Sequence, residues 1–130
     1  MATNSEIVRS VTRAMEQGDP LAVFAHLARD VVWNVHAAEP DAAPWLGVFE
    51  GRRGVAKLLD ALSTIGFTEA AHTGMLADGD HVVTLTHLAF DGANGTHVEL
   101  DEVQVWRLVD GKVASVDVFL DTAAVAAAFA

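Results

Sequence analysis

Apolar residues recur along this chain in two rhythms: steps of three and four up to about residue 62, then alternation. Ile7, Val8, Val11, Ala14 and Met15 follow Ser5, a plausible N-cap, and predict a helix that Gly18 ends. Asp19-Pro20 reads as cap and first-turn proline of a second helix through about Leu27, with Leu21, Val23, Phe24 and Leu27 apolar. Residues 30–36 are β-rich through Val31, Val32, Trp33 and Val35. Residues 37–50 contain Pro40, Pro44 and Gly47 and predict no regular element. Val55, Leu58, Leu59 and Leu62 give residues 51–62 one apolar helical face. Strands follow at about 67–77, 81–90, 98–109 and 113–120, and the alanine-rich tail 122–129 suits a short helix.

The order α-α-β-α-β-β-β-β is an α+β plan, in which a curved antiparallel sheet wraps around three helices from the first half of the chain. Residues 1–130 carry no internal repeat or linker and read as one domain. Both faces of the later strands are apolar. His81, Val83, Leu85, His87 and Ala89 share one face; Val82, Thr84, Thr86, Leu88 and Phe90 share the other. A sheet wet on one side alternates more cleanly. A homodimer is therefore expected, covering the face near Thr84, Thr86, Leu88, Val103 and Val105.

Two turns set the expected pairing. Asn94-Gly95 and Asp110-Gly111 are hairpin formers because they tolerate positive φ. A two-residue Asn94-Gly95 loop would put His87 opposite Glu102 and Leu85 opposite Gln104, with opposed Cβ atoms roughly 5 Å apart. An imidazole would then meet a carboxylate within an apolar sheet, as an acid/base site requires.

The 130 residues carry a formal charge of −10, from 18 acidic and 8 basic residues. That balance argues against nucleic acid and anionic membranes as partners, since phosphate recognition needs basic patches. No cysteine is present, which removes disulfides and thiolate chemistry. The polar start MATNSEIVRS has no signal-like apolar stretch, so a cytoplasmic location is expected. His26, His72, His81 and His97 fall on different elements without zinc-ligand spacing, and neither metal nor cofactor is expected.

Three segments carry a family resemblance: Asp30-Val31-Val32-Trp33-Asn34-Val35, Trp45-Leu46-Gly47-Val48-Phe49-Glu50-Gly51, and Val105-Trp106-Arg107-Leu108-Val109-Asp110-Gly111-Lys112-Val113. In this order they resemble the SnoaL-like branch of the nuclear-transport-factor-two-like superfamily, over nearly the whole chain. The resemblance implies a cone-shaped α+β barrel. Its members include polyketide cyclases, ketosteroid isomerase, limonene epoxide hydrolase, dehydratases and non-catalytic proteins, so it implies fold more firmly than reaction.

The resemblance also suggests roles. His87 matches the strand position that presents a pocket carboxylate in limonene epoxide hydrolase-like members. Their arginine two residues earlier is Leu85 here, so that triad is missing. Gln104 resembles the place of the oxyanion-hole acid of ketosteroid isomerase, and its amide can still donate to a developing oxyanion. Asn34 matches a polar first-strand position that holds substrate or water, and His36 shares its face. Trp45, Phe49 and Trp106 are candidate lining residues. Cyclase-like members carry an aspartate on the last strand at the position of Val118; here Asp117 comes one residue early. A two-residue Asp110-Gly111 loop would place Asp117 opposite Gln104 in the pocket. A three-residue loop with a bulge would place Val118 there, opposite Glu102.

Three readings follow. The first is a cofactor-independent isomerase, cyclase or dehydratase acting on a hydrophobic carbonyl compound, with His87, Glu102 and Asp117 as catalytic candidates. Asn34, His36, Trp45, Phe49, Gln104 and Trp106 would contact the substrate. The second is a non-catalytic module binding a small hydrophobic molecule, and the third a structural dimer with the cone packed shut.

Overall fold

The computed structural model describes residues 2–130. Helix α1 (Asn4–Glu16) is capped two residues earlier than expected, by Thr3, which accepts the Glu6 N–H through its side chain. Asp19 caps the five-residue α2 (Pro20–Phe24) through the Ala22 N–H. Leu27 then opens strand β1 (Leu27–Val35) instead of ending the helix. The proline-containing stretch is less irregular than its composition suggests. It holds a 3₁₀ turn (Pro40–Ala42) and a short strand, β2 (Gly47–Glu50), paired antiparallel with β1. Helix α3 (Gly51–Ser63) follows, then β3 (Phe67–Asp78), β4 (His81–Asp91), β5 (His97–Val109), β6 (Lys112–Phe119) and α4 (Thr122–Phe129).

The six strands form one sheet in the order β2-β1-β6-β5-β4-β3. Strands β3 to β6 make the expected meander. Strand β1 lies beside β6 in parallel, which closes the sheet over the helices. The architecture is the α+β cone. Its core joins Val8 and Val11 of α1, Val55 and Leu58 of α3, and Phe90, Trp106, Val113 and Val116 of the sheet. No helix among the described residues is long and apolar enough to cross a membrane.

The two hairpins decide which side chains enter the cone; the β4–β5 one departs from expectation at its turn, and the β5–β6 one beyond its turn. Between β4 and β5, Gly92 donates to Thr96 O at 2.8 Å, and Gly95 donates back to Gly92 O at 2.9 Å. The loop therefore holds Ala93, Asn94 and Gly95 rather than two residues. Asn94 accepts the Thr96 N–H within the turn at 3.0 Å, while its donors reach outside it: its amide donates to Ala127 O at 2.8 Å and its backbone N–H to Ala128 O at 3.2 Å, capping α4. Gly92 passes so close that an added Cβ would lie 2.3 Å from Ala128 O. One extra loop residue slips the pairing by one and exchanges the faces. His87 faces Asp101, Thr86 faces Glu102, and Thr84 faces Gln104.

Of the two alternatives for the β5–β6 turn, the two-residue loop forms, with Asp110 and Gly111 both at positive φ and Val109 paired to Lys112. A bulge then inserts one residue between Val113 and Ser115. It allows Val113 and Val116, three apart, both to be fully buried. Beyond it Val118 lies opposite Gln104, and Asp117 lies opposite Val105 on the outer face.

The face expected to carry a dimer contact is corrected in the same way. Thr84, Thr86 and Leu88 are buried and point into the cone, whereas Val103 and Val105 lie outside beside Val83 and Leu85.

Candidate functional site

The concave face of β3, β4 and β5, roofed by α1 and α3, encloses a cavity of about 350 Å³. Its walls are mainly apolar: Met15 of α1, Leu58 and Leu62 of α3, Trp33 and Val35 of β1, Trp45, Phe67, Leu88 and Val118. The polar lining groups are Thr12, Glu16, His72, Thr86, Glu102 and Gln104. None of the lining residues is Lys or Arg.

One row across three strands carries most of this polarity. His72 of β3 pairs with Thr86 of β4, which pairs with Glu102 of β5. With strands about 4.8 Å apart, His72 and Glu102 flank Thr86 on one concave face. The His72 ring lies 3.2 Å through Nδ1 from Thr86 Oγ1 and 3.5 Å through Nε2 from Glu16 Oε1. It links the exposed rim to the buried row.

The next row orients Glu102. Trp106 Nε1 can only donate, and it donates to Thr84 Oγ1 at 2.9 Å. The Thr84 hydroxyl is left to donate to Gln104 Oε1 at 2.8 Å. That bond turns the Gln104 NH₂ group toward Glu102 Oε1, to which it donates. The chain runs one way, from a buried indole to a buried carboxyl. Glu102 itself is only 7% exposed. Burial pushes its pKa up to about 7, against the opposing effect of the Gln104 hydrogen bond.

Several expected site residues stand elsewhere. His87 is outside the cone, between Asp101 (Nδ1 to Oδ1, 2.8 Å) and Glu99 (Nε2 to Oε1, 2.8 Å). These two hydrogen bonds, Asp101 first and Glu99 second, raise its pKa above the ordinary value. Asp117 is also outside and holds His36 Nε2 at 2.8 Å. His36 stacks on Phe119 with ring centroids 4.6 Å apart, and Asn34 Nδ2 lies 3.4 Å from its Nδ1. Asn34 and His36 thus form an outer polar cluster and are not among the residues lining the cavity. Trp106 is fully buried and not among the residues lining the cavity; it lies edge-on to Trp33 at 5.3 Å and its indole N–H donates to Thr84. Phe49 packs against the core but is not among the residues lining the cavity. Glu102, Gln104 and Trp45 are the candidates brought to it. Trp45 Nε1 is the one buried side-chain N or O atom among the described residues that lacks a hydrogen-bond partner.

His72, Thr84, Thr86 and Glu16 were not among the expected site residues. A signal for Thr84 and Thr86 existed in β4: Val82, Leu88 and Phe90 make the residues 82–90 series bulkier than the series holding His81 and His87. Bulk marks the core face better than a turn motif does. One grouping has metal-ligand geometry: donor atoms of Glu69, His87 and Glu99 lie within 4.8 Å of one another on the outer face. Exposed carboxylates form such groups without an ion, and none of these three residues lines the cavity.

Comparison with known proteins agrees with this architecture. Residues 8–116 match the SnoaL-like domain family. An NTF2-like protein from Burkholderia thailandensis superposes with a TM-score of 0.87 at 25% identity, over 100% of this chain and 99% of that one. TerC, co-crystallized with polyporic acid, gives 0.83 at 24% identity, over 97% of each chain. A protein from Mesorhizobium loti, provisionally described as a SnoaL-like polyketide cyclase, gives 0.74 at 19% identity, over 91% and 99%. The latter two likenesses are of fold alone. No curated protein matches this chain.

Proposed function

Because the chain belongs to the SnoaL-like domain family, we propose that its cavity serves a cofactor-independent enzyme moving protons on a hydrophobic carbonyl compound, as an isomerase, cyclase or dehydratase. The observation that carries this reading is Glu102, a buried carboxyl on the cavity wall whose pKa is pushed up to about 7. A carboxyl titrating near neutrality can take a proton as base and return it as acid in one cycle. One amide N–H of Gln104 is engaged by Glu102. The other can donate to the substrate oxygen where negative charge develops. His72, with Glu16 behind it, supplies a second exchangeable proton at the rim. His87, Asp117, Asn34 and His36 have no part in this scheme, since they lie on the other face.

The lining narrows the substrate. With an acidic buried group and no cation on the walls, the cavity favours a neutral compound over a carboxylate or phosphate. The fold's association with organic ligands supports the reading: TerC was crystallized with polyporic acid, and the Mesorhizobium protein is provisionally described as a polyketide cyclase.

A second reading, a non-catalytic binding module, is favoured by a different observation. The expected imidazole–carboxylate contact between His87 and Glu102 does not form, so the buried carboxyl has no histidine bonded to it. Proton exchange separates the two. The protein is incubated in D₂O with a panel of hydrophobic ketones, and loss of the proton beside the carbonyl is followed by NMR. The enzyme reading expects acceleration that Glu102→Gln reduces at least ~100-fold. Ketones that bind, seen by line broadening, yet exchange at the buffer rate would establish the binding module instead.

A further inference from the structure

The cavity does not stand alone. Helices α1 and α3 each run 13 residues, about 20 Å, while α2 between them has five, about 7.5 Å. Such a short helix covers only part of the gap between its neighbours. What it leaves open is a groove of about 540 Å³, walled by Ala14, Val23, Phe24, Ala56 and Leu59. Met15, Glu16 and Leu62 line both this groove and the cavity. These three residues stand at the boundary of the two spaces. One of them, Met15, is unbranched and flexible, the kind of residue that re-packs around different contents.

The chemistry of the two spaces differs. The cavity ends in the Glu102–Gln104 pair. The groove offers apolar walls with Asp19, Asp60 and Ser63 among its lining and no cation. At about 350 Å³ the cavity lies near the lower limit for a small-molecule site, so a larger ligand must leave through its mouth.

We infer that the groove is a tail subsite: it takes the apolar chain of an elongated, uncharged carbonyl compound whose oxygen-bearing head occupies the cavity. This rests on the cavity being a ligand site and adds length and apolar character to the substrate class. Met15 and Leu62 lie where head and tail join.

Acetophenone and octanophenone test it, since they share a head and differ in alkyl chain. Their dissociation constants are measured by NMR titration of the full chain and three variants. Ala56→Trp and Leu59→Glu alter the groove at residues outside the cavity lining, one exposed and one half-buried. Glu102→Gln alters the head site. Wild-type protein is expected to hold octanophenone at least ~30-fold more tightly than acetophenone, because each buried methylene adds roughly 0.8 kcal/mol. Both groove variants are expected to cut that preference to below ~5-fold while leaving acetophenone affinity unchanged. Glu102→Gln should shift both ketones together. A chain-length preference that survives in both groove variants overturns the tail subsite and leaves the cavity reading standing. Failure of both ketones to bind the wild-type protein overturns the cavity reading and the subsite with it.

Discussion

Glu102 sits directly opposite Thr86 in the β4–β5 ladder, one step out of phase with His87. That single step decides which ionisable group is buried in the cone and which meets solvent. Glu102 becomes a buried carboxyl that retains its proton near neutrality. His87 becomes an imidazole held among carboxylates on the outer face. The consequences for pH dependence have the same sign but lie in different pH ranges.

The folded-state pKa of Glu102 is raised from 4.5 to about 7. Between these values the folded protein keeps a proton that the unfolded chain has lost, so stability falls as pH rises across that window. The full loss is about 3 kcal/mol, complete once pH exceeds the folded value. Urea unfolding near pH 5 and pH 8 should show this decline in the wild-type protein. Glu102→Gln should flatten it, leaving the variant the more stable form at the higher pH. Parallel pH profiles for the two proteins would contradict the buried-carboxyl assignment.

The one-way chain from Trp106 through Thr84 to Gln104 predicts an effect at a distance. Thr84→Val removes the acceptor for Trp106 and the donor for Gln104, at a cost of about 1–3 kcal/mol. The Gln104 amide then loses its enforced orientation and its bond to Glu102, which opposes the burial effect. The Glu102 pKa should therefore rise further, as read by carboxyl ¹³C titration. Thr84→Ser should restore the wild-type value. An unchanged Glu102 titration in Thr84→Val would show that the chain does not position the carboxyl.

His87 has its pKa raised above 6.5, first by Asp101 and then by Glu99. Its stabilisation is fully present below the unfolded value and disappears as pH rises through the raised folded value. His87→Gln should melt below the wild-type protein in mildly acidic buffer and match it in strongly alkaline buffer. Ketone binding in the cavity should be unaffected at either pH. Loss of binding would return His87 to the site.

The outer face carries a block of Val83, Leu85, Val103 and Val105, in register across β4 and β5. Phe119 of β6 pairs with Val103 and is 46% exposed. A second copy of the chain over this block is the expected arrangement, since contiguous apolar surface associates. Sedimentation equilibrium at micromolar concentration should give a dimer, and Val105→Glu should give a monomer. A monomeric wild-type protein would contradict the dimer.

Local signals were sufficient for most elements. The apolar spacing of α1, the Asp19-Pro20 start of α2 and the face of α3 act within one or two turns of helix. The Asp110-Gly111 turn and the length of each late strand are equally local. Composition and order together were therefore enough for the α+β plan with its curved sheet, and the family resemblance implied the cone. The site depended on register, which is not local. Asn94 has the chemistry of a hairpin turn and accepts the Thr96 N–H within it, but both its donors go to Ala127 and Ala128, more than 30 residues away. The bulge in β6 answers the need to bury both Val113 and Val116. Short-range preferences set where strands start and stop; packing against α4 and the core set how they slide. Because a slide of one residue exchanges the faces of a strand, only the tertiary structure could put Glu102, Gln104, Thr86 and His72 inside and His87, Asn34, His36 and Asp117 outside.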